Sequence, residues 1–420
     1  MEGLTEPDRG KTEEPGGQRN VVTLGWVAFF GGMAQDMIQP ILPLFYTQAL
    51  GLSGEFIGLI EGALTTVVSM MKVAAGYLSD TLRVRKPIVF TGYTLSAVGR
   101  FMLGFASTGA GVFSLRLMDG FGKGIKDAPR DALVAGSAGS GRLGHAFGIQ
   151  RALDTLGSVA GPLLTWWMLR AWMDNPFRYQ RVFWIAGIIA MVPLLLIGLY
   201  VKERSSRQAG GSVARVKLPS SFMWFLGLSA LFALGNSSDA FIILRAKSTG
   251  MPSEIIPVAY AVMNLVSMGT AIPFGRLADR IGRRRMIACG WFVYALVYFG
   301  FAIVRTPLMM WLLYATYGLF YSLTEGSAKA LVAELVGEEN RGKAYGLYNL
   351  SVGVLALPAS VIAGILWSRV SAGAPFLFGG GIALLSLAGL ALLSFSAIGR
   401  GPEHHESVAG SQDKPPFDRK

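Results

Sequence analysis

The chain reads GRLADRIGRRR at residues 275–285, and a related stretch, GYLSDTLRVRK, occupies residues 76–86. In both stretches an aspartate follows a long apolar segment and precedes several basic residues. The two copies begin 199 positions apart, while DALVA at 131–135 and KALVA at 329–333 recur 198 positions apart. Self-similarity at a nearly constant offset is the signature of a repeated unit. These stretches therefore predict a chain that consists of two related halves.

The composition is typical of a membrane protein. Of the 420 residues, 52% are hydrophobic and 15% are charged, and the mean hydropathy is +0.46. Ordinary globular domains contain about 25% charged residues. A chain of this length can hold about a dozen apolar segments of roughly 20 residues, each long enough to cross a bilayer. Single-span receptors, soluble α/β enzymes and secreted disulfide scaffolds are excluded, the last also because Cys289 is the one cysteine.

Twelve apolar segments, separated by short polar stretches, predict twelve transmembrane helices. The predicted spans lie at about 22–48, 56–78, 87–107, 110–135, 144–172, 181–201, 220–246, 254–275, 286–304, 308–335, 343–369 and 374–398. Each is long enough to cross roughly 30 Å of hydrocarbon as a helix, the form that satisfies every backbone group in lipid. The predicted fold class is an all-α membrane protein with twelve transmembrane helices in two six-helix, pseudo-symmetric halves.

Polar stretches divide the predicted helices into domains. The division comprises a disordered cytoplasmic N-terminal tail at 1–20, a six-helix half at 21–201, a cytoplasmic linker at 202–218, a second six-helix half at 219–399 and a disordered cytoplasmic C-terminal tail at 400–420. The tails and the linker are rich in charged, Gly, Pro or Ser residues. This composition is typical of segments that cannot bury enough apolar surface to fold.

The net charge of +12 resides mostly in loops and tails. Clusters of Lys and Arg at 83–86, 202–217 and 276–285 fall on one side of the predicted topology. By the positive-inside rule that side is cytoplasmic, and both termini lie there. We therefore interpret the basic character as topology and attraction to anionic lipid, with no nucleic-acid partner. The predicted location is the cytoplasmic (inner) membrane of a bacterium.

Residues 275–285 resemble the GxLaDrxGrkr loop signature of the major facilitator superfamily of transporters, and the resemblance extends over nearly the whole chain. It implies two six-helix halves that hold the substrate between them near the membrane midplane. It also implies a cytoplasmic gate that latches the halves when the cavity faces outward, formed by Asp80, Arg83, Asp279 and Arg283. The first copy departs from the family pattern at Arg83, where the family has glycine.

Two further patterns resemble motifs of the drug:proton antiporters within that superfamily. Residues 116–120, RLMDG, resemble the RxxQG motif of the fourth span, with Asp119 in the place of glutamine. Gly148, Gly157 and Gly161 have the spacing of the antiporter motif in the fifth span. This resemblance implies proton-coupled antiport. The alternative is that small residues on the fifth span simply allow close helix packing.

The fourth predicted span carries a stripe of charged residues. Its members fall within an arc of about 100° and extend about 21 Å along the helix; they are Arg116, Asp119, Lys123, Lys126, Asp127 and Arg130. Charged groups in the bilayer core are costly and face protein or water instead of lipid. We therefore expect the stripe to line a central cavity, near a kink that Pro129 introduces by removing a backbone donor.

Polar and ionisable residues on several spans are candidates for the functional site. The predicted substrate-binding residues are Asp36, Lys123, Lys126, Asp127, Arg130, Arg151, Asp154, Asp239, Asn264, Glu325 and Lys329. Asp36, Arg116 and Asp119 form the predicted proton-coupling group, in which Asp36 loads and releases a proton and Arg116 lies nearby as its ionic partner. Substrate and proton then compete for one site. The alternative for each charge is an internal salt-bridge lattice that holds helices together.

The predicted function is a proton-coupled secondary transporter that exports a small organic solute by antiport, as a monomer in the lipid bilayer. Lys123, Lys126 and Arg130 suit a solute with carboxylate or phosphate, so an organic-anion, siderophore or phosphorylated-metabolite transporter is the alternative. An oxygen-ligated metal-ion carrier is a third interpretation, since histidine and cysteine are scarce. We expect no enzyme activity, cofactor or bound metal, because the sequence has no metal-ligand spacing or phosphate-binding glycine loop.

Overall fold

The computed structural model describes residues 15–82, 84–138, 143–203, 218–337 and 340–398, which form helices and connecting turns and include no strand. The helices are α1 (Pro15–Ile38), α2 (Leu42–Leu44), α3 (Gly54–Leu82), α4 (Lys86–Leu103), α5 (Gly109–Ser137), α6 (Leu143–Ala171), α7 (Arg178–Ile189), α8 (Val192–Tyr200), α9 (Ser220–Gly235), α10 (Ala240–Ser248), α11 (Ile256–Ile281), α12 (Arg283–Ile303), α13 (Pro307–Val336), α14 (Arg341–Arg369) and α15 (Ala374–Ile398). A π-helical turn, Phe45–Ala49, follows α2.

Each of the twelve predicted spans coincides with helix, and three spans are interrupted. The first consists of α1, α2 and the π-helical turn, and its break lies beside Pro40, which has no N–H to donate. The sixth is divided between α7 and α8 just before Pro193. The seventh is divided between α9 and α10 at residues 236–239, whose short polar side chains compete with helical hydrogen bonds. The prediction of an all-helical fold is confirmed for the described residues.

Eight helical stretches are long and apolar enough, by length and composition, to cross a membrane. They are Gly17–Ala49, Gly54–Ser79, Arg178–Tyr200, Ser220–Ser248, Ile256–Ile281, Arg283–Ile303, Arg341–Arg369 and Ala374–Leu392. The other long helices are α4, α5, α6 and α13, and they carry most of the charges within the predicted spans. Charged side chains lower the hydropathy of a helix. The weakest hydropathy signals therefore belong to helices with candidate functional residues.

A tight turn joins α11 to α12. Gly282 adopts φ +93°, a conformation that is strained for residues with a Cβ atom, and it caps both helices. The backbone therefore requires glycine at this position of the loop signature. Arg83, at the matching position of the first copy, lies outside the described residues.

Several helix crossings depend on glycine. Gly157 and Gly161 of α6 lie against the backbone of α1, and Gly62 of α3 lies against Leu357 of α14, with no room for a Cβ atom. A Cβ atom on Gly148 would meet no atom within 4 Å. Close packing thus accounts for two of the three glycines of the fifth-span pattern.

The helices before residue 203 contact those after residue 218 along two main seams. In these seams α3 packs along α14, and α6 packs along α11. At one end of the molecule, Gln48 Nε2 donates to Ser253 Oγ at 3.3 Å, and Glu55 forms an ion pair with Arg369 at 2.7 Å. These contacts hold the two sets of helices together at that end.

Candidate functional site

Four ionised side chains form a buried lattice between α3, α4 and α5. Arg116 on α5 contacts Glu61 at 3.3 Å (Nη2–Oε1) and Asp119 at 3.2 Å (Nη1–Oδ2). Arg100 on α4 contacts the other oxygen of Asp119 at 3.2 Å and donates to the carbonyl of Gly31 on α1. None of the four charged side chains is more than 5% exposed. Two cations and two carboxylates therefore neutralise each other inside the protein.

This lattice determines the surroundings of Arg116 and Asp119, two of the predicted proton-coupling residues. The sequence-based prediction pairs Arg116 with Asp36, but its guanidinium instead contacts Glu61 and Asp119. Burial explains the difference, because a buried cation requires partners at hydrogen-bonding distance. The predicted site also omits Glu61 and Arg100. Their sequence signal is a charge within an apolar span, and only helix packing brings Glu61 to Arg116 and Arg100 to Asp119.

Asp36 on α1 lies in a looser group of charges. It is 7% exposed, and its carboxylate faces the Ser158 hydroxyl. The charged side chains around it include Lys123, Asp154 and Arg100. Within the described part of the chain, Asp36, Lys123 and Asp154 have no ion-pair partner within 4 Å. Asp36 is thus near a cation and a second carboxylate but is fixed to neither.

Lys126 and Arg130 pack against Tyr93 on α4. The Lys126 ammonium lies 4.2 Å from the centroid of the Tyr93 ring, a cation–π contact, and Lys126 is 4% exposed. Arg130 donates to the Tyr93 hydroxyl at 3.5 Å. The neighbouring Asp127 contacts Lys72 of α3 at 3.8 Å. These charges are therefore held by partners on α3 and α4.

The charged stripe predicted on the fourth span is divided between two environments. Arg116 and Asp119 are sealed in the lattice, and Lys126 is buried against an aromatic ring. Lys123 and Asp127 remain partly exposed, and Lys123 is the stripe member without an ion pair or cation–π contact among the described residues. A helix face about 21 Å long passes through more than one environment, so a shared face does not imply a shared role.

Asp239, which precedes α10, is held by tyrosines. The hydroxyls of Tyr317 and Tyr321 on α13 donate to its two carboxylate oxygens at 2.9 Å each. Nearby, Tyr294 donates to the side-chain oxygen of Asn236 at 3.2 Å. No described cation forms an ion pair with Asp239 within 4 Å. Neutral donors therefore satisfy this carboxylate, in contrast to the carboxylates of the buried lattice.

Glu325 on α13 links helices from the two parts of the chain. Its Oε2 contacts Arg151 on α6 at 3.3 Å, and its Oε1 contacts Lys329 at 3.1 Å. The exposed fractions are 68% for Arg151, 45% for Glu325 and 56% for Lys329. Asn264 on α11 donates to the backbone carbonyl of Ser158 on α6 at 3.1 Å. Four predicted substrate-binding residues therefore lie where the two sets of helices meet.

Arg283 of the loop signature contacts two carboxylates. Its guanidinium lies 3.9 Å from Asp279 (Nη2–Oδ1) and 3.1 Å from Glu334 (Nη1–Oε2). These ion pairs tie the start of α12 to α11 and α13. The other two predicted gate residues are Asp80 and Arg83. Arg83 and the side chain of Asp80 lie outside the described part of the structure.

The first copy of the signature has Arg85 in the position that Arg283 occupies in the second. Arg85 Nη1 donates to the Ala132 carbonyl at 3.1 Å, and Arg283 Nη1 donates to the Ala330 carbonyl at 3.3 Å. Donors and acceptors are each 198 positions apart. The repeat offset therefore changes from 199 to 198 between the aspartate and this arginine, because the first copy has one more residue there than the second. The structural counterpart of Arg283 is Arg85, two positions after the predicted Arg83.

Four charged residues in the first part of the chain correspond to four tyrosines in the second. The pairs, each separated by 198 positions, are Arg100 and Tyr298, Arg116 and Tyr314, Asp119 and Tyr317, and Lys123 and Tyr321. Three of the four lattice positions, and that of Lys123, therefore hold phenol groups after residue 218. The two walls of the candidate site differ in chemistry: one is ionic, and the other is aromatic with hydroxyl donors.

A cavity of about 310 Å³ lies among α9, α12, α13 and α14. Its lining residues are mostly aromatic or small and comprise Phe225, Ser229, Phe232, Ala233, Asn236, Ile287, Trp291, Phe320, Tyr321, Thr324, Glu325, Ala328, Lys329, Tyr348, Asn349 and Val352. Glu325 and Lys329 are the charged residues in this lining. The cavity therefore joins the aromatic wall to the exposed ion pair that faces Arg151.

Comparison with known proteins identifies the family of this chain. The profile of the Major Facilitator Superfamily matches residues 24–350, and a second match covers residues 223–418. The chain belongs to the major facilitator superfamily. It is a multi-pass integral membrane protein and a secondary transporter of this superfamily. The resemblance carried by residues 275–285 is confirmed at the level of the superfamily.

Relatives in this superfamily cover most of the chain. An uncharacterized MFS-type transporter of Methanocaldococcus jannaschii is 38% identical over 385 residues, which are 89% of this chain and 94% of the relative. A multi-drug resistance efflux pump PmrA homolog of Lactococcus lactis is 26% identical over 388 residues, 86% of this chain and 92% of the relative. A crystal structure of a POT family transporter in complex with thioalcohol conjugated peptide has a TM-score of 0.76 at 13% identity, covering 90% of this chain and 96% of that chain. At that identity the structural likeness shows the fold alone.

Proposed function

We propose that this transporter is a proton-coupled antiporter of the drug:proton branch, which exports a small organic solute by alternating access. The observation that carries the proposal is the group of Asp36, which is buried, and Lys123 and Asp154, which are partly buried; none of the three has an ion pair among the described residues. The likeness to a relative named as a multi-drug resistance efflux pump supports export.

Asp36 is the proposed proton carrier. Because no ion pair fixes its carboxylate to a cation, Asp36 can exchange a proton for a substrate group without breaking a buried salt bridge. Lys123, which has no partner of its own among the described residues, can bind an anionic part of the substrate. Proton and substrate then compete for one group, and loading one releases the other. This competition couples the two fluxes.

Arg116 and Asp119 act on this site indirectly. Their ion pairs with Glu61 and Arg100 hold α5 against α3 and α4. Lys123 follows Asp119 by about one helical turn, so the lattice sets the position of Lys123 beside Asp36. We therefore assign the lattice a positioning role in proton coupling.

The proposed substrate path is lined by polar residues from both parts of the chain. Besides Asp36 and Lys123, its members are Lys126, Asp127, Arg130, Arg151, Asp154, Asp239, Asn264, Glu325 and Lys329. The exposed bridge from Arg151 to Glu325 crosses between the two sets of helices. Alternating access requires such crossing contacts to form and break, and exposed ion pairs do so at little cost.

The proposed architecture has two pseudo-symmetric six-helix halves, residues 21–201 and 219–399, joined by a cytoplasmic linker at 202–218. Recurring local structure supports it. The hydroxyls of Thr108 and Thr306, 198 positions apart, accept from backbone N–H groups at 3.1 and 3.4 Å and cap α5 and α13. The hydrogen bonds of Arg85 and Arg283, one arginine in each loop signature, recur at the same offset.

We place the protein, as a monomer, in a bacterial cytoplasmic (inner) membrane with both termini in the cytoplasm. The basic loops at 83–86 and 276–285 support this orientation through the positive-inside rule. In this orientation the loop signatures form a cytoplasmic gate, in which Asp279 and Arg283 act together with Asp80 and Arg83, and Arg85 is the further member that matches Arg283.

An organic-anion transporter is the second candidate. The exposed group of Arg151, Glu325 and Lys329 has two cations for one carboxylate. Lys123 adds a further cation without an ion pair among the described residues. This excess of cations suits a solute with carboxylate or phosphate better than it suits a cationic drug.

Flux measurements on the full chain in proteoliposomes test the proposal. An imposed pH gradient should drive ethidium, a cationic probe, or radiolabelled 4-hydroxybenzoate, an anionic probe, against its concentration gradient. Asp36→Asn should abolish this uphill transport but keep the exchange of labelled for unlabelled probe. Asp174→Asn, in the exposed loop after α6, is the matched control and should transport like the unaltered protein.

Two outcomes would contradict the proposal. If Asp36→Asn still drives either probe uphill at the rate of the unaltered protein, Asp36 is not the proton carrier. If the unaltered protein equilibrates the probes but never concentrates them under a pH gradient, the protein is a facilitator and not a proton-coupled antiporter.

A further inference from the structure

Two stacked pairs of aromatic rings form the walls of the 310 Å³ cavity. Phe232 and Trp291 stack with centroids 4.9 Å apart and an interplanar angle of 8°. Phe225 and Tyr348 lie 6.0 Å apart at 3°. Aromatic side chains in a pocket lining favour an apolar, ring-containing solute, and the volume is at the lower end of the roughly 300–1,000 Å³ typical of ligand pockets. The cavity therefore fits a small molecule with a single aromatic ring.

The charges at this cavity favour an anion. Both carboxylate oxygens of Glu325 already contact cations, one from Arg151 and one from Lys329. The other nearby carboxylate, Asp239, accepts hydrogen bonds from two tyrosine hydroxyls. A cationic solute would therefore find no carboxylate without a partner among the described residues around the cavity. An anionic solute would find two cations that share one carboxylate.

These two cations are available for exchange. The side chains of Arg151, Glu325 and Lys329 are 68%, 45% and 56% exposed. Ion pairs at such exposure are weak because water screens them, so a solute carboxylate can replace Glu325 at one of its partners. The buried lattice around Arg116 offers no such exchange, since its side chains are no more than 5% exposed.

The repeat indicates where the solute ring lies. The counterparts of Tyr93 and Lys126, 198 positions later, are Trp291 and Thr324, and both line the cavity. In the first part of the chain the Lys126 ammonium covers the Tyr93 ring at 4.2 Å. In the second part the shorter Thr324 replaces that lysine and leaves space beside Trp291. The place beside the aromatic ring that Lys126 occupies in the first part of the chain is therefore part of the cavity in the second part.

We infer that the cavity among α9, α12, α13 and α14 binds a small aromatic carboxylate. The ring lies between the aromatic walls that include Trp291 and Tyr348, and the carboxylate lies at Lys329 and Arg151. This inference rests on the proposed transport function and names the class of its substrate. Because Arg151 belongs to α6 and Lys329 to α13, one carboxylate bound by both would bridge the two sets of helices in place of Glu325.

Calorimetric titration of the purified full chain in detergent tests the inference without any requirement for proton coupling. The probes are 4-hydroxybenzoate, benzylamine as the matched cation, benzamide as the neutral analogue and butyrate as a carboxylate without a ring. We expect binding of 4-hydroxybenzoate at least about tenfold tighter than binding of the other three, since a charge-assisted contact and a ring contact each contribute on that scale.

Variants separate the two parts of the site. Lys329→Gln should weaken 4-hydroxybenzoate binding by about tenfold and leave benzamide unchanged. Tyr348→Leu should weaken the binding of both 4-hydroxybenzoate and benzamide and leave the binding of butyrate unchanged. Lys247→Gln is the control for loss of a positive charge. Lys247 is exposed in the last turn of α10, and this variant should bind like the unaltered protein.

The outcomes distinguish this inference from the proposed function. Tighter binding of benzylamine than of 4-hydroxybenzoate, no binding of 4-hydroxybenzoate, or unchanged affinity in Lys329→Gln would each overturn the inference. If 4-hydroxybenzoate binds with the expected pattern but a pH gradient does not drive it uphill, proton-coupled antiport fails and the substrate class stands. If a pH gradient drives ethidium while no aromatic carboxylate binds, the substrate class fails and antiport stands.

Discussion

Arg116→Leu tests whether the buried lattice stabilises the fold. The substitution removes both ion pairs of Arg116 and leaves Glu61 with the hydrogen bond from the Tyr46 hydroxyl at 3.4 Å. Asp119 keeps its contact with Arg100 at 3.2 Å. The variant therefore buries one carboxylate, Glu61, without an ion pair.

The expected cost follows from burial. Removing one partner of a buried ion pair destabilises a protein by about 3–5 kcal/mol, because the other charge stays buried. The pair formed by Arg151 and Glu325 is 68% and 45% exposed, and such pairs contribute about 0–1 kcal/mol. We therefore expect Arg116→Leu to lower the free energy of unfolding several-fold more than Arg151→Gln does.

Denaturant titration of the purified full chain in mild detergent, followed by circular dichroism, measures both losses. A double variant, Arg116→Leu with Glu61→Leu, separates the burial of an unpaired charge from the loss of packing. Replacing a buried ion pair by apolar residues is often neutral or stabilising. The double variant should therefore recover a large part of the stability that Arg116→Leu alone loses.

Two results would refute this reasoning. Equal losses for Arg116→Leu and Arg151→Gln would mean that burial does not set the strength of these pairs. A double variant less stable than Arg116→Leu alone would mean that the carboxylate of Glu61 is stabilising even without its arginine.

Three further predictions concern a helix crossing, the tyrosine-bound carboxylate and a helix cap. Gly58→Leu forces a side chain against the Ser360 carbonyl where α3 crosses α14. Probe flux into proteoliposomes should therefore fall sharply while the protein remains monodisperse, and normal flux would contradict this. Tyr321→Phe removes one of two hydrogen-bond donors to Asp239 and should lower the free energy of unfolding by about 1–3 kcal/mol. An unchanged midpoint of the denaturant titration would argue against that hydrogen bond. Thr306→Ala removes the cap of α13 and should cost about 1 kcal/mol in the same titration, and no cost would count against the cap.

Each of these variants has a control in the same chain. Gly227→Leu adds the same bulk where a Cβ atom meets nothing within 4 Å, and flux should be unchanged. Tyr77→Phe removes a hydroxyl from a residue that is 74% exposed, and stability should be unchanged. Thr108→Ala removes the cap of α5, 198 positions before the cap of α13, and should cost a similar amount.

The helical spans and the family could be predicted from the sequence because both depend on local pattern. Runs of apolar residues long enough to cross hydrocarbon must be helical, since no water is present to satisfy the backbone. The loop at 275–285 indicates the superfamily through a short motif, and its Gly282 reports a backbone conformation, φ +93°, that other residues avoid. Even the breaks in three spans lie beside residues, such as Pro40, that disfavour helix.

The partners of the charges could not be predicted in the same way. Helical periodicity places Arg116 and Asp119 on one face of α5. An ion pair with a residue of another helix also requires that helix at the right depth and rotation, within 4 Å. The contact of Arg116 with Asp119 is made within α5, but its contact with Glu61, in place of Asp36, depends on how α3 packs against α5. Nothing local to residue 116 specifies that packing.

By itself the sequence determined that this protein is helical, spans a membrane and belongs to a transporter superfamily, because apolar length and short motifs are properties of neighbouring residues. The tertiary structure decided which charges are sealed and which remain available. It paired Arg116 with Glu61 inside the protein, left Lys123 without an ion pair among the described residues, and joined Glu325 to Arg151, 174 positions apart in the chain. Burial and distance separate a structural charge from one that can exchange partners, and both arise only when helices from distant parts of the chain pack together.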